Sequence, residues 1–145
     1  MFLLDTNVLS ALMLAQPPAA VAAWVSAQPA ALLFTAAICQ AEILSGLAIM
    51  PDGRRRAALE AAARAMFRDD FQSRILPFDE APAEAYAEIF AARRKAGRST
   101  ATVDLMIAAI ARAYRVSVVT RNTADFDGCG VTVINPWTIE PHASR

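Results

Sequence analysis

Residues 2–10, FLLDTNVLS, decide how the chain folds. Phe2-Leu3-Leu4 is a short apolar run that reads as a buried strand, and it stops at Asp5, just before Thr6-Asn7. Helical material follows over Val8–Leu14 and, after a Pro17-Pro18 start, over Ala19–Ala27. Leu32–Thr35 reads as a second buried strand, and a helix over about Ala37–Met50 carries Glu42. Pro51-Asp52-Gly53 breaks the chain, an Ala- and Arg-rich helix resumes from Arg54 to about Phe71, and Arg74–Phe78 reads as a third strand. A helix over Asp79–Gly97 follows, with Glu84, Glu88, Arg93 and Arg94 on its wet side. Thr102–Tyr114 is the next helix, with Asp104 in its first turn; Val116–Thr120 is strand four, and Val131–Ile134 is a short edge strand after the loop Arg121–Gly130.

This alternation predicts an α/β fold of three layers, α/β/α, around a central parallel sheet of four to five strands, because parallel strands need crossovers and those are usually helical. Ligands of such sheets bind at the carboxyl ends of the strands. A length of 145 residues fits one domain, with about 136–145 as a C-terminal tail, and 56% hydrophobic residues can fill its core.

Charge is placed unevenly. The first fifty residues hold no Lys, Arg or His and two charges, Asp5 and Glu42, both within apolar sequence. Asp104 is likewise the one charged side chain between Arg98 and Arg112. An isolated buried carboxylate is unfavourable by several kcal/mol or takes up a proton, unless a cation meets it. Three such acids brought to about 5 Å would repel pairwise by roughly 3 kcal/mol at an effective dielectric of 20, and a divalent ion reverses that sign. Oxygen donors without His or Cys select Mg²⁺ or Mn²⁺ over Zn²⁺. The matching chemistry is metal-assisted phosphodiester hydrolysis.

Net charge is zero and the pI about 6.6, so any polyanion binding must be local. Basic residues cluster in Arg54-Arg55-Arg56, in Arg93-Arg94-Lys95 with Arg98, and in Arg112, Arg115 and Arg121. Such runs are usually solvated helix faces; the functional alternative is a phosphate-contacting rim, with Arg121 best placed as it leaves strand four. Trp24, Tyr86 and Trp137 read as core or interface aromatics. His142 lies in the polar tail and supports no Ser–His or Cys–His triad. Cys39 and Cys129 form no CxxC and suit a reducing cytoplasm. The start lacks the basic residues of a signal peptide, with Asp5 where one would stand, and Gln16, Pro17, Pro18, Gln28 and Pro29 interrupt any membrane-length window. Cytoplasmic localisation without membrane contact is expected.

Four segments in order, LLDTNVLS (3–10), CQAEILSG (39–46), STATVDLMIAAIA (99–111) and VSVVTRNTADF (116–126), together with Asn135-Pro136-Trp137, resemble PIN-domain ribonucleases. The likeness is greatest to VapC-type toxins of bacterial toxin–antitoxin pairs, in the FitB-like branch. It implies a Mg²⁺- or Mn²⁺-dependent endoribonuclease with Asp5, Glu42 and Asp104 as metal-binding acids. That family often supplies a fourth acid after strand four, where this chain has Asn122 and, three residues on, Asp125; either would complete the catalytic set. Thr6 and Asn7 would orient Asp5, and Thr120 would bond a ligand or the attacking water. Helix capping is the plain alternative for Asp5 and Asn7, a solvated position for Glu42 and complementing of the helix dipole for Asp104. The resemblance further implies an RNA substrate, an antitoxin partner, a homodimer and higher hetero-oligomers with the antitoxin.

A haloacid-dehalogenase-like phosphatase would need an acid where Asn7 stands, and a response-regulator receiver an acid pair near strand one and a late Lys, whereas the single Lys is Lys95 on a helix. A third alternative is a PIN-fold binding protein that lost catalysis through Asn122 and associates with an antitoxin-like partner.

Overall fold

Phe2–Leu4 forms β1, and Asp5 caps the helix α1 (Thr6–Leu12) that follows it without a loop. The computed structural model describes residues 1–139. After α1 come α2 (Ala19–Ala27), β2 (Leu33–Ala36), α3 (Ala37–Ala48), α4 (Arg54–Ala65), β3 (Ile75–Leu76), α5 (Glu80–Lys95), α6 (Thr102–Tyr114), β4 (Ser117–Val119) and β5 (Val133–Ile134). The five strands are all parallel, in the order β3-β2-β1-β4-β5, and helices flank them in the expected three-layer arrangement. Chain order reverses between β1 and β4, and at such a switch point the carboxyl ends of the two strands open a crevice.

The β1–β4 register pairs Leu3 with Val118 and Leu4 with Val119, all four wholly buried. The Asp5 N–H extends this ladder by donating to the Val119 carbonyl at 2.9 Å. Leu9, Val21, Ile89, Ile107 and Ile110 close over the sheet with less than 2% exposure. α6 reads as a core helix, with Leu105 and the run Ile107–Ala111 buried, and it closes on Arg115 in the left-handed conformation, φ 56°. Among the described residues no helix is long and apolar enough to cross a membrane.

Several boundaries differ from expectation. α1 begins two residues before Val8, because the Asp5 side chain accepts the Thr6 N–H and starts the helix at once. The helix expected to reach Phe71 ends at Ala65 and widens into a π-type turn, Met66–Asp70. β3 and β5 shrink to two residues each, as edge strands with one partner only. Pro136 is buried, and Trp137 packs against Arg121. His142 lies outside the described residues.

Candidate functional site

Asp5 is 4% exposed, and the nitrogen and oxygen donors to its side chain come from its own turn and from the end of β4. Its Oδ1 accepts the Thr6 N–H at 2.8 Å; its Oδ2 accepts the Thr120 hydroxyl at 2.8 Å and Asn7 Nδ2 at 3.4 Å. Burial pushes its carboxyl above the usual range; the bonds from Thr120 and Thr6 oppose this, and the charges of Glu42 and Asp125 add to it. Capping and site placement are therefore one arrangement: the β1–α1 junction that needs a cap also aims the carboxylate at the crevice.

The two residues after Asp5 reach in different directions. Thr6 Oγ1 donates to Glu42 Oε1 at 2.6 Å, drawing α3 toward Asp5. Asn7 joins α1 to the end of β4, donating to Thr120 Oγ1 at 3.0 Å and accepting the Arg121 N–H at 3.1 Å. Thr120 is wholly buried, and its oxygen also accepts the Asn122 N–H at 3.1 Å. Its hydroxyl proton thus serves Asp5 directly. Cys39, which the sequence did not mark, lies behind Asp5 with Sγ 4.0 Å from Oδ1; its burial, with the Asp5 charge, pushes the thiol up to about 12. Only its place three residues before Glu42 on α3 could have flagged it.

The expectation of three buried acids is corrected in part. Asp5 is buried and Asp104 half-buried, but Glu42 lies exposed on α3, where the neighbouring Ile49 is 86% exposed and Ser45 and Gly46 are also open. An apolar neighbourhood in sequence did not imply burial, because this face of α3 meets solvent. Asp104 is pushed up to about 6, by burial first and then by the charges of Asp125, Asp5 and Glu42. Asp125, in a 3₁₀ turn over Thr123–Phe126, thus lies within electrostatic reach of both Asp5 and Asp104. Asn122, beside it, is exposed.

Asp5, Glu42, Asp104 and Asp125 form a field of four acids, and the ion pairs among the described residues involve other carboxylates: Asp52, Glu60, Asp69 and Glu88. Among the described residues no group of three or more His, Cys, Asp or Glu is placed to hold a metal ion as it stands. Their chemistry suits a hard divalent cation nonetheless. The donors are carboxylates, they repel one another with no ion-pair partner among the described residues, and the nearby Cys39 sulfur is held as a thiol. A groove of about 270 Å³ lined by Thr6, Glu42, Leu14 and Leu47 adjoins Glu42, while a larger cavity of about 620 Å³ between α1, α2 and α4 includes none of the four.

The basic residues divide. Arg121 is exposed, with its guanidinium 5.2 Å from the Trp137 ring centroid, beside the Asp5–Asn7–Thr120 bonds. Arg56 pairs with Asp52 and Glu60, and Arg112 with Glu88. Arg93, expected on the wet side of α5, is 8% exposed; it bonds the Asp127 carbonyl and lies 3.6 Å from Cys129 Sγ, because the loop after β4 folds over it. Cys39 and Cys129 are both free and buried. Trp24 meets Phe2 edge-on at 5.1 Å and Tyr86 lies between Phe78 and Phe90, as expected of packing aromatics.

Residues 2–128 match the PIN domain family. The chain is 42% identical over 137 residues to the plasmid stability protein StbB of Pseudomonas syringae pv. tomato, covering 94% of this chain and 99% of that protein. It is 39% identical to the VapC ribonuclease Y4jK of Sinorhizobium fredii, covering 94% and 98%. Among solved structures it superposes on a chain of FitAB bound to the IR36 DNA fragment with a TM-score of 0.89 and 36% identity, covering 99% of this chain and 100% of that one.

Proposed function

The chain belongs to the PIN-domain family, within the group of VapC and FitB proteins, and from that premise we propose that it is a toxin of a toxin–antitoxin pair that cleaves RNA with Mg²⁺ or Mn²⁺. The observation that carries this reading is the field of four acids. Burial first, and then the charges of Glu42 and Asp125, raise Asp5; burial first, and then the charges of Asp125, Asp5 and Glu42, raise Asp104; and none of the four takes part in an ion pair among the described residues. Structure without function would have little reason to keep such repulsion at a sheet's switch point.

Asp5, Glu42 and Asp104 would hold the cation, with Asp125 in the place that Asn122 cannot fill with charge. When bound, a divalent cation supplies neutralisation of phosphate charge and activation of water. The chain's own part is to hold the carboxylates. Thr120 and the Thr6 N–H fix the Asp5 carboxylate and favour its charged form, and Thr6 Oγ1 anchors Glu42. Asn7 ties the turn after β4 to α1, so that Arg121 leaves the strand beside the crevice, where it would meet the RNA backbone. Hydrolysis adds the water OH to phosphorus and its proton to the leaving oxygen as one P–O bond breaks.

The electrostatic link from Asp125 to Asp5 and Asp104 favours this reading over that of a PIN-fold binding protein made inactive by Asn122. The natural partner would be an antitoxin, as in the FitAB complex, and the groove beside Thr6 and Glu42 would admit its chain to the acids. A single domain over residues 1–145, a homodimer that assembles further with the antitoxin, and a cytoplasmic site of action belong to the same proposal. The test is cleavage of single-stranded RNA with Mg²⁺ or Mn²⁺, comparing the protein with Asp5→Asn. Metal-dependent cleavage slowed on the order of 100-fold or more by the substitution is expected. Activity in both proteins, or in neither, defeats the reading.

A further inference from the structure

A cavity of about 360 Å³ beside the amino end of α6 is lined by Arg93, Arg94, Arg98, Ser99, Thr100 and Phe90. Two of the lining residues carry a buried polar atom with no partner among the described residues, Arg93 Nε and Thr100 Oγ1. Buried donors are almost always bonded, so an unpaired pair lining one cavity asks for a ligand. Arg93 is held by the Asp127 carbonyl and Cys129 Sγ, so it is not free to swing into solvent. Ala101 caps α6 without a side-chain bond, so the first N–H groups of this thirteen-residue helix are also open. Among the described residues the arginines in ion pairs are Arg56, Arg68 and Arg112, so no carboxylate neutralises the three in the cavity.

We propose that this cavity binds a phosphate of the RNA strand. The proposal rests on the ribonuclease reading and names a substrate subsite for it. Guanidinium forks, hydroxyls and helix N–H groups are donors matched to phosphate oxygens. Position selects the occupant. Leu105 lines the cavity while Asp104, one residue before it and about 100° around the helix, turns toward the acids. Arg93 grips Asp127, two residues after Asp125. A ligand that spans both places must offer one anion to the arginines and another to a cation held by the acids. A phosphodiester chain, with an anion at every residue, does this along one strand.

The experiment is fluorescence anisotropy of a labelled single-stranded RNA in EDTA over a KCl titration, with cleavage kinetics on the same proteins. Arg94→Ala/Arg98→Ala removes two exposed cavity arginines and spares Arg93, which holds the loop; Arg54→Ala/Arg55→Ala is an exposed pair outside the cavity. Loss of the cavity pair should weaken binding about tenfold or more near 0.15 M salt and lower the slope of log K against log salt by about 1. KM should rise by a similar factor with kcat within about threefold. Thr100→Val should weaken binding about threefold with the slope unchanged. The control pair should stay within twofold. Equal losses in the two arginine pairs, an unchanged slope, or tighter binding of a polyglutamate peptide than of RNA through Arg94 and Arg98 would overturn the proposal. If the protein cleaves RNA and the cavity pair changes nothing, the subsite fails and the ribonuclease stands. If it cleaves none yet loses RNA binding with that pair, the ribonuclease fails and the phosphate cavity stands.

Discussion

The Thr6 hydroxyl donates to Glu42 Oε1 across 2.6 Å, joining the first turn of α1 to α3 over a separation of 36 residues. The same residue's N–H bonds Asp5 at 2.8 Å, so Thr6 holds two like charges side by side. That is a bond against electrostatic preference, and it ties an exposed carboxylate to a buried one.

Thr6→Val should therefore release Glu42 while leaving the backbone cap of Asp5 intact. An exposed hydrogen bond contributes only about 0.5–1.5 kcal/mol, so thermal stability should change little. RNA cleavage should fall about tenfold with weaker Mn²⁺ binding, and Thr6→Ser should restore both. Isothermal titration with Mn²⁺ together with cleavage rates checks this; a fully active Thr6→Val would show that Glu42 needs no anchor.

Asn7 clamps α1 to the turn after β4 through Thr120 and the Arg121 N–H. Asn7→Asp loses the donor and sets a second carboxylate against Asp5. It should destabilise the fold by about 1–3 kcal/mol in urea unfolding, the range for a buried polar group left unpaired. Asn7→Ala should destabilise less, since it brings no new charge.

Asp104 is pushed up to about 6 by burial and by its acidic neighbours. A raised carboxyl binds its proton more tightly when folded than when unfolded. The metal-free protein should thus gain stability from this group as pH falls from above 6 toward 3.8, and lose it as pH rises back through about 6. Asp5 is shifted the same way. Asp104→Asn removes the repulsion and should stabilise the metal-free protein at pH 7.5 by about 1 kcal/mol, after allowance for solvent screening at a half-buried site. It should also flatten the pH dependence. Differential scanning calorimetry in EDTA at pH 5.5 and 7.5 reads both.

Metal should reverse that order. At pH 7.5 a cation at about 100 times its Kd stabilises the native state by about 2.7 kcal/mol, and Asp104→Asn should forfeit most of this gain. Melting curves with MgCl₂ or MnCl₂ against EDTA test the point, and an equal metal shift in both proteins would remove Asp104 from the site.

Asp125 and Asn122 share the loop after β4, but only Asp125 adds charge to the field around Asp5 and Asp104. Asp125→Asn should slow cleavage about tenfold or more, whereas Asn122→Ala should stay within about threefold. The reverse pattern would assign the fourth position to the Asn122 carbonyl oxygen.

Local chemistry made much of this protein legible in advance. β1 ends at Asp5, α2 spans Ala19–Ala27 and α6 spans Thr102–Tyr114 as expected, because apolar runs, proline starts and first-turn acids act within a few residues. The order of the acids along those elements, at the carboxyl side of a parallel sheet, followed from the same pattern. Tertiary structure alone decided the rest. Glu42 faces solvent and Arg93 lies inside, although their sequence neighbourhoods suggest the opposite, since burial depends on which elements pack against a helix face. Thr6 meets Glu42 and Asn7 meets Thr120 over separations of 36 and 113 residues, contacts that no local propensity encodes. They exist because the sheet sets β1 beside both β2 and β4, which brings the turns after those strands to one edge.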